Sequence, residues 1–488
     1  MSDAAQGAAG ARKPITAAYS ATQVTQRSSA SQVGPLVVHP TNPRYFADPA
    51  GHAVYLSGSH TWAVVQDGGP QPSPVPLDWE KFLATVAGYG HTFVRLWTWE
   101  HPRWASWWKG DYFFTPVPWE RSGPGVALDG GRKFDVSRVD QQWLARLRHR
   151  VASALDAGIY VSVMLFQGWS AGPKPDPWTG CDNPWLSHPF HRENNINGID
   201  GSPADDAGHD AVHTLASPEV VSFQEQYIQA VVDAVNEFPN VLYEIGNEHD
   251  GNPANTQWQY HMVEFTQDYE RSKKNFQHPV LMSAQWPDGQ NQDLFSSPAD
   301  AVAPFAWRGP DDARWEYEPP TRYTGKIVFL DTDHLWGVGG TVDWVWRCFT
   351  RGYQPLYMDP WGFDHMDPLA PKGSENVRRA LGAACRLAAQ VDLGQMLPRP
   401  DIASTGFALY DGAQTAVVYQ PYEDRLCLNF GRDLTGMTVE WHDLEGAAPA
   451  APGTVRLRER SALVEPPWPG PAVAIVRLAG GSPDQEVT

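Results

Sequence analysis

SPEVVSFQEQYIQAVVDAVNEFPNVLYEIGNEH, residues 217–249, holds the pattern on which the fold turns. Its first part carries apolar residues at helical spacing, among them Val220, Tyr227, Ile228, Val231, Val232 and Val235. Ser217 stands where a hydroxyl can accept from an N–H of the first helical turn. VLYEIGNEH (241–249) is then a short apolar run ending in polar residues. Runs of this kind recur on both sides: VYLSGSHTW (54–62), TFVRLWTWE (92–100), YVSVMLFQGW (160–169), VLMSAQW (280–286), AVAPFAW (301–307), KIVFLDTDH (326–334) and QPLYMDPW (354–361). With 241–249 they make eight. Helical stretches lie between them, as at 78–90, where Asp78 is the candidate cap, and at 139–158. The link at 286–301 carries only a weak helix signal. Eight strand–helix alternations predict an α/β fold, a parallel (β/α)8 TIM barrel, whose catalytic face is built by the segments after the strands.

Two of those segments are long, 100–138 and 168–216, and long loops in a compact domain usually carry function. After about residue 398 the pattern changes to short alternating runs broken by Gly, Pro, Asp and Asn, the signature of a small antiparallel β-sandwich. The expected organisation is a disordered leader (1–34), a catalytic barrel (35–398), a β-sandwich domain (399–480) and a disordered tail (481–488).

The 488 residues are enough for such a barrel and a second domain. The net charge of −19 disfavours nucleic acid and anionic membranes as partners. Cys181, Cys348, Cys385 and Cys427 are scattered, which argues against a structural zinc site or a disulfide framework. There is no HExxH motif, so neither a metal nor a cofactor is expected. No apolar run reaches membrane-span length, and the N-terminus has no apolar signal core. A cytoplasmic location is expected, although a trimmed export signal would leave the same sequence, and a homo-oligomer is left open. The 22 tryptophans are the compositional anomaly. Many lie in polar or Pro/Gly-rich surroundings, as at Trp104, Trp119 and Trp178, where they suit stacking on sugar rings as well as core filling.

Glycosidic cleavage needs one carboxylic acid to protonate the leaving oxygen and a second carboxylate across the sugar. Glu248, at the end of the fourth run, is the candidate acid/base, with Asn247 beside it to hold a sugar hydroxyl. Strand parity puts Glu244 on the same side but deeper, where a lone charge is costly, so it is expected to pair with Arg95 on the second strand. The second carboxylate should come from the seventh strand, from Asp331 or Asp333, with His334 to orient one of them or titrate near neutrality. One of the two aspartates is expected to cap the next helix. The other substrate-binding candidates are His60, Trp62, Trp97, Gln167, Trp169, Asn195, Gln285, Trp286, Trp307, Trp336 and Trp361. Arg308, Asp359, His188, His191, Asn194 and Asn197 stand near them. The acidic turn at 200–206 has no recognisable calcium-loop pattern.

Arg95, Asn247-Glu248, an acid ending strand seven and Trp361 after strand eight, in this order over residues 36–395, resemble the clan A glycoside hydrolases. The opening NPRYFADPAGHAVYLSGSHTW and the C-terminal β region resemble, more narrowly, apiosidase-like barrels whose C-terminal domain carries a collagen-binding label. The resemblance implies that Glu248 is the acid/base, that Arg95 supports the nucleophile, that Trp361 floors the subsite and that the mechanism is retaining. The nucleophile of that clan is usually a glutamate, whereas this strand offers aspartates. Aligning KIVFLD favours Asp331, with Asp333 the runner-up. The expected activity is exo-acting hydrolysis of a terminal or short-oligosaccharide bond. A non-catalytic carbohydrate- or matrix-binding protein and a transglycosidase are the alternatives.

Overall fold

The eight runs form eight strands: β1 (Gly58–His60), β2 (Phe93–Leu96), β3 (Tyr160–Gln167), β4 (Val241–Asn247), β5 (Val280–Ser283), β6 (Ala301–Ala303), β7 (Ile327–Asp331) and β8 (Gln354–Met358). In the computed structural model they pair in sequence order, all parallel, and close into a barrel as β8 meets β1. Described are residues 34–479, apart from 63, 71, 107–109, 170, 172–182, 203–210, 307–313, 362–373 and 423–424, and apart from the side chains of 104–111. The expected leader and tail, Trp104, Trp178, Trp307, Arg308 and most of the acidic turn therefore lie outside what is described.

Helices α1 (Trp79–Tyr89), α2 (Gln141–Asp156), α3 (Pro218–Val235), α4 (Pro253–Lys273), α5 (Asn291–Ser296), α6 (Thr332–Leu335), α7 (Val342–Arg351) and α8 (Glu375–Ala388) connect the strands. Both caps expected from the sequence form, while α5 and α8 start without a side-chain cap hydrogen bond. Asp78 accepts from the Lys81 N–H and Ser217 from that of Val220. Asp140 accepts from both Gln142 and Trp143 at 2.8 Å. Asp140→Ala should cost about 1 kcal/mol, read as a lower denaturation midpoint at an unchanged m-value. The weak 286–301 link holds the six-residue α5.

Strand parity sorts the barrel interior into layers. Phe93, Leu242, Leu281, Ile327, Phe329 and Leu356 belong to one buried apolar cluster that fills the N-terminal half. Phe93 of β2 and Phe329 of β7 meet across the axis with ring centroids 4.9 Å apart. One pleat higher, Arg95, Ser162, Glu244 and Asp331 replace them with charge and hydroxyl.

The expected long loop 100–138 is a folded segment. Its strands Arg103–Ser106 and Gly110–Thr115 pair with each other, and Gly110–Thr115 pairs on its other edge with Asp67–Gly69 from the segment after β1.

The C-terminal residues form two antiparallel sheets. One contains, in spatial order, β9 (Leu397–Pro398), β10 (Ala408–Tyr410), β11 (Thr415–Gln420), β17 (Ala472–Leu478), β13 (Met437–His442) and β14 (Ala451–Pro452). The other joins β12 (Leu426–Asn429), β16 (Ser461–Glu465) and β15 (Thr454–Arg458). Val418, Trp441 and Val476 of the first share an apolar cluster with Leu426, Leu428 and Val464 of the second. This unit is packed against α7. The Trp346 indole donates to Leu444 O at 3.0 Å, the Tyr419 hydroxyl to Asp343 at 2.8 Å, and Arg347 and Arg351 lie over the Phe407 ring. No helix among the described residues is long and apolar enough to cross a membrane.

Candidate active site

Arg95 organises the charged layer. Its Nε donates to Glu244 Oε2 at 2.8 Å, and its terminal nitrogens reach Glu244 Oε1 at 2.5 Å, Asn247 Oδ1 at 2.8 Å and Asp331 Oδ2 at 3.3 Å. Ser162 also donates to Glu244, at 2.9 Å. Glu244 is thus the buried structural partner of Arg95 that parity predicted. The Trp97 ring covers the guanidinium at 4.7 Å and stacks on His60. Burial works against the Arg95 charge, but Glu244 and Asp331 more than offset it and hold the guanidinium ionised.

The two aspartates after β7 occupy different settings. Asp331 is fully buried and its oxygens are engaged: Oδ1 meets His60 Nε2 at 2.9 Å and accepts from the Asp333 N–H at 3.0 Å, and Oδ2 takes Arg95. It is the N-cap of α6. Although burial opposes ionisation, His60 and Arg95 hold its carboxyl well below the usual carboxylate range. Asp333 is the second residue of α6, and its Oδ2 is 4.0 Å from Arg95 and 3.8 Å from His334 with no hydrogen bond. Burial and the negative charge of Asp331 push its carboxyl upward.

Glu248 follows β4 in a left-handed conformation, φ 47°, which is rare for a residue with a side chain. One carboxylate oxygen of Glu248, one of Asp333 and a ring nitrogen of His334 lie within 4.8 Å of one another. Among the described residues this is the one cluster with the spacing to embrace a metal ion. His334 is buried, and its Nε2 lies 3.1 Å from Asn247 Oδ1, an acceptor that Arg95 also fills, so Nε2 carries the hydrogen. Burial lowers its pKa to about 3, so His334 is neutral and does not titrate near neutrality as anticipated.

Several expected ligand-binding groups are committed elsewhere. Asn195 spends its amide on the backbone of Pro189, His191 and Ile199, and Asn194 and Asn197 likewise pin 128–136. They shape the loop rather than reach a ligand. Gln285 bonds Asp250 O and Thr256, fixing the segment after β4. Asp359 is ion-paired to Arg378 of α8. The Trp361 indole packs edge-on to Phe82 of α1 and lies near Lys81 and Arg378. Trp286 rests against Phe305, and Trp62 is buried between Trp97 and Trp99. Gln167 is buried at the end of β3, its Oε1 taken by the Trp169 N–H while its Nε2 has no hydrogen-bond partner. Trp169 is half-buried and donates its N–H to Asn247 O as well. Trp336, 41% exposed, stands edge-on to Trp344 three residues beyond Asp333.

A second buried cluster escaped the sequence reading. Glu100, fully buried, lies 3.1 Å from His213 and 3.7 Å from His188 and accepts from the Gln167 N–H at 2.8 Å. It lies four residues past the end of β2, packed against the end of β3 and the segment that carries His188 and His213. Burial alone would raise its pKa; His213 and His188 hold it far below the usual range.

The architecture is that of a (β/α)8 barrel with an appended β unit. No known protein family matches the sequence, and no curated protein does either. Among solved structures, the chain is similar to a glycoside hydrolase family 5 protein from Bacteroides vulgatus ATCC 8482, with 11% identity over 93% of this chain and 96% of that one and a TM-score of 0.55. It is similar also to a protein named as a glycoside hydrolase, with 11% identity over 91% and 97% of the two chains and a TM-score of 0.51. At this identity the likeness is one of fold.

Proposed function

We propose that this protein is a glycoside hydrolase in which Glu248 is the general acid/base and Asp333 the nucleophile. The carrying observation is the approach of one oxygen of each carboxylate to within 4.8 Å, beside His334. Two acids so close, at the ends of strands four and seven, are costly to hold together unless they act on the same bond. A non-catalytic sugar-binding protein has no need of that pair. The two structures similar in fold bear glycoside hydrolase names, which supports the same reading.

In the proposed reaction Asp333 attacks the anomeric carbon while Glu248 gives its proton to the departing oxygen. Glu248 then takes a proton from water, which attacks the same carbon and releases Asp333. Arg95 acts through Asp331 and Asn247. It fixes the Asn247 amide beside the acid, where its NH2 is placed to hold a sugar hydroxyl. We assign Asp331 to support, against the alignment that favoured it, because its oxygens are already engaged by Arg95, His60 and the start of α6. An exo mode fits the folded segments that follow β1 and β2 and border the mouth.

The 4.8 Å bound on the facing oxygens favours the ~5–5.5 Å separation of retaining enzymes over the ~6.5–9.5 Å of inverting ones. The first-formed sugar should therefore keep its anomeric configuration, as seen by proton NMR during hydrolysis of a nitrophenyl glycoside chosen from a panel that includes furanosides. An inverted first product would overturn the assignment of Asp333 as nucleophile.

A further inference from the structure

We infer that His249, His213 and Glu100 form a brace that holds the acid/base in its left-handed conformation; the inference rests on the proposed role of Glu248. A residue with a side chain at φ 47° is strained and persists only where its surroundings over-determine it. The surroundings here act through the next residue. His249 is buried against two strand ends that lack side chains. A Cβ on Gly168 would lie 2.4 Å from His249 Cα, and one on Gly246 would lie 2.2 Å from its Nε2. Both glycines are therefore required for His249 to sit as close as it does. Its ring packs perpendicular to His213 at 4.5 Å and tilted on Trp258 at 5.0 Å, and its carbonyl accepts from the Trp286 N–H at 2.8 Å.

His213 is tethered in turn. Its Nε2 lies 3.1 Å from Glu100, and its carbonyl accepts from the Asn255 amide at 3.0 Å. Glu100 also receives the N–H of Gln167, at the tip of β3, beside which β4 runs. The carboxylate thus links the ends of β2 and β3 to the ring against which His249 rests. None of the hydrogen bonds and ion pairs seen for Glu100 is to Glu248 or Asp333. It is a positioning residue, and a displacement of about 1 Å at a reacting group is enough to lower rates by about 100-fold.

The test compares Glu100→Gln, His249→Ala and Glu248→Gln on two substrates with the same sugar, a phenyl glycoside and a 2,4-dinitrophenyl glycoside. Phenolate leaves only with a proton from the acid; dinitrophenolate leaves without one. kcat/KM reports the bond-breaking step, so Glu248→Gln should fall steeply on the phenyl glycoside and little on the other. Glu100→Gln and His249→Ala should show the same asymmetry, with about a tenfold loss confined to the phenyl substrate, part of what general acid catalysis supplies. Equal losses on both substrates, or none on either, overturn the brace. Should His249→Ala fail to fold, the isosteric Glu100→Gln carries the test. A Glu248→Gln enzyme without the asymmetry overturns the acid/base assignment itself, a distinct result from asymmetry in Glu248→Gln alone.

Discussion

Glu248→Gln should lower kcat/KM on a glycoside with a poor leaving group by about 10²–10⁴-fold, the range that general acid catalysis spans. The amide keeps the shape of the side chain and loses the transferable proton. Folding should be little changed, because the substitution is isosteric. Activity that survives unreduced would remove Glu248 from the chemistry. A loss accompanied by a large drop in thermal stability would instead point to a structural glutamate.

The second large effect separates the aspartates, and it does so with opposite signs in stability. Asp333→Asn should lower turnover by more than about 10⁴-fold, on the scale seen when a covalent nucleophile is removed. It should also raise the melting temperature at pH 7. The pKa of Asp333 is raised by burial and by Asp331. The folded protein therefore binds that proton more tightly than the unfolded chain, and stability falls as pH rises from the ordinary carboxylate range through the raised value. The ionised Asp333 is thus a burden on the fold at neutral pH, and the amide relieves it. Asp331 has the reverse sign. Its lowered pKa contributes stability above the ordinary carboxylate range, lost as pH falls through the folded value. Asp331→Asn should melt earlier at pH 7, because it leaves Arg95 and His60 without their shared partner. Should Asp331→Asn abolish turnover while Asp333→Asn stays active, the two roles are exchanged.

The same pair marks where sequence reading succeeds and where it stops. All eight strands were legible because buried parallel strands are short β-branched runs, and the Arg95–Glu244 pair was legible because parity holds along a strand. Parity ends where the strand ends. The chain turns into α6 at Thr332, so neither the shared parity of the two aspartates nor the alignment of KIVFLD that ranked Asp331 first says which carboxyl is left free. Trp361 lies past β8 for the same reason, and its indole goes to the helices. Asn195 and Gln285 look like ligand-binding amides in the sequence, since nothing local says whether an amide is already spent on backbone. Glu100 and His213 are 113 residues apart, and no spacing rule connects them.

The grip of the C-terminal sheets on α7 bears on how this protein is assembled. Helix α7 is the next long element after the segment that carries Asp331, Asp333 and His334, and Phe407, Tyr419 and Leu444 cover its outer side. A module joined by a free tether could be gained, lost or exchanged without disturbing its host. This one is a load on the scaffold next to the proposed nucleophile. The barrel and its appendage are expected to have changed together, as one evolutionary unit, with the β region inherited as part of the active site's foundation.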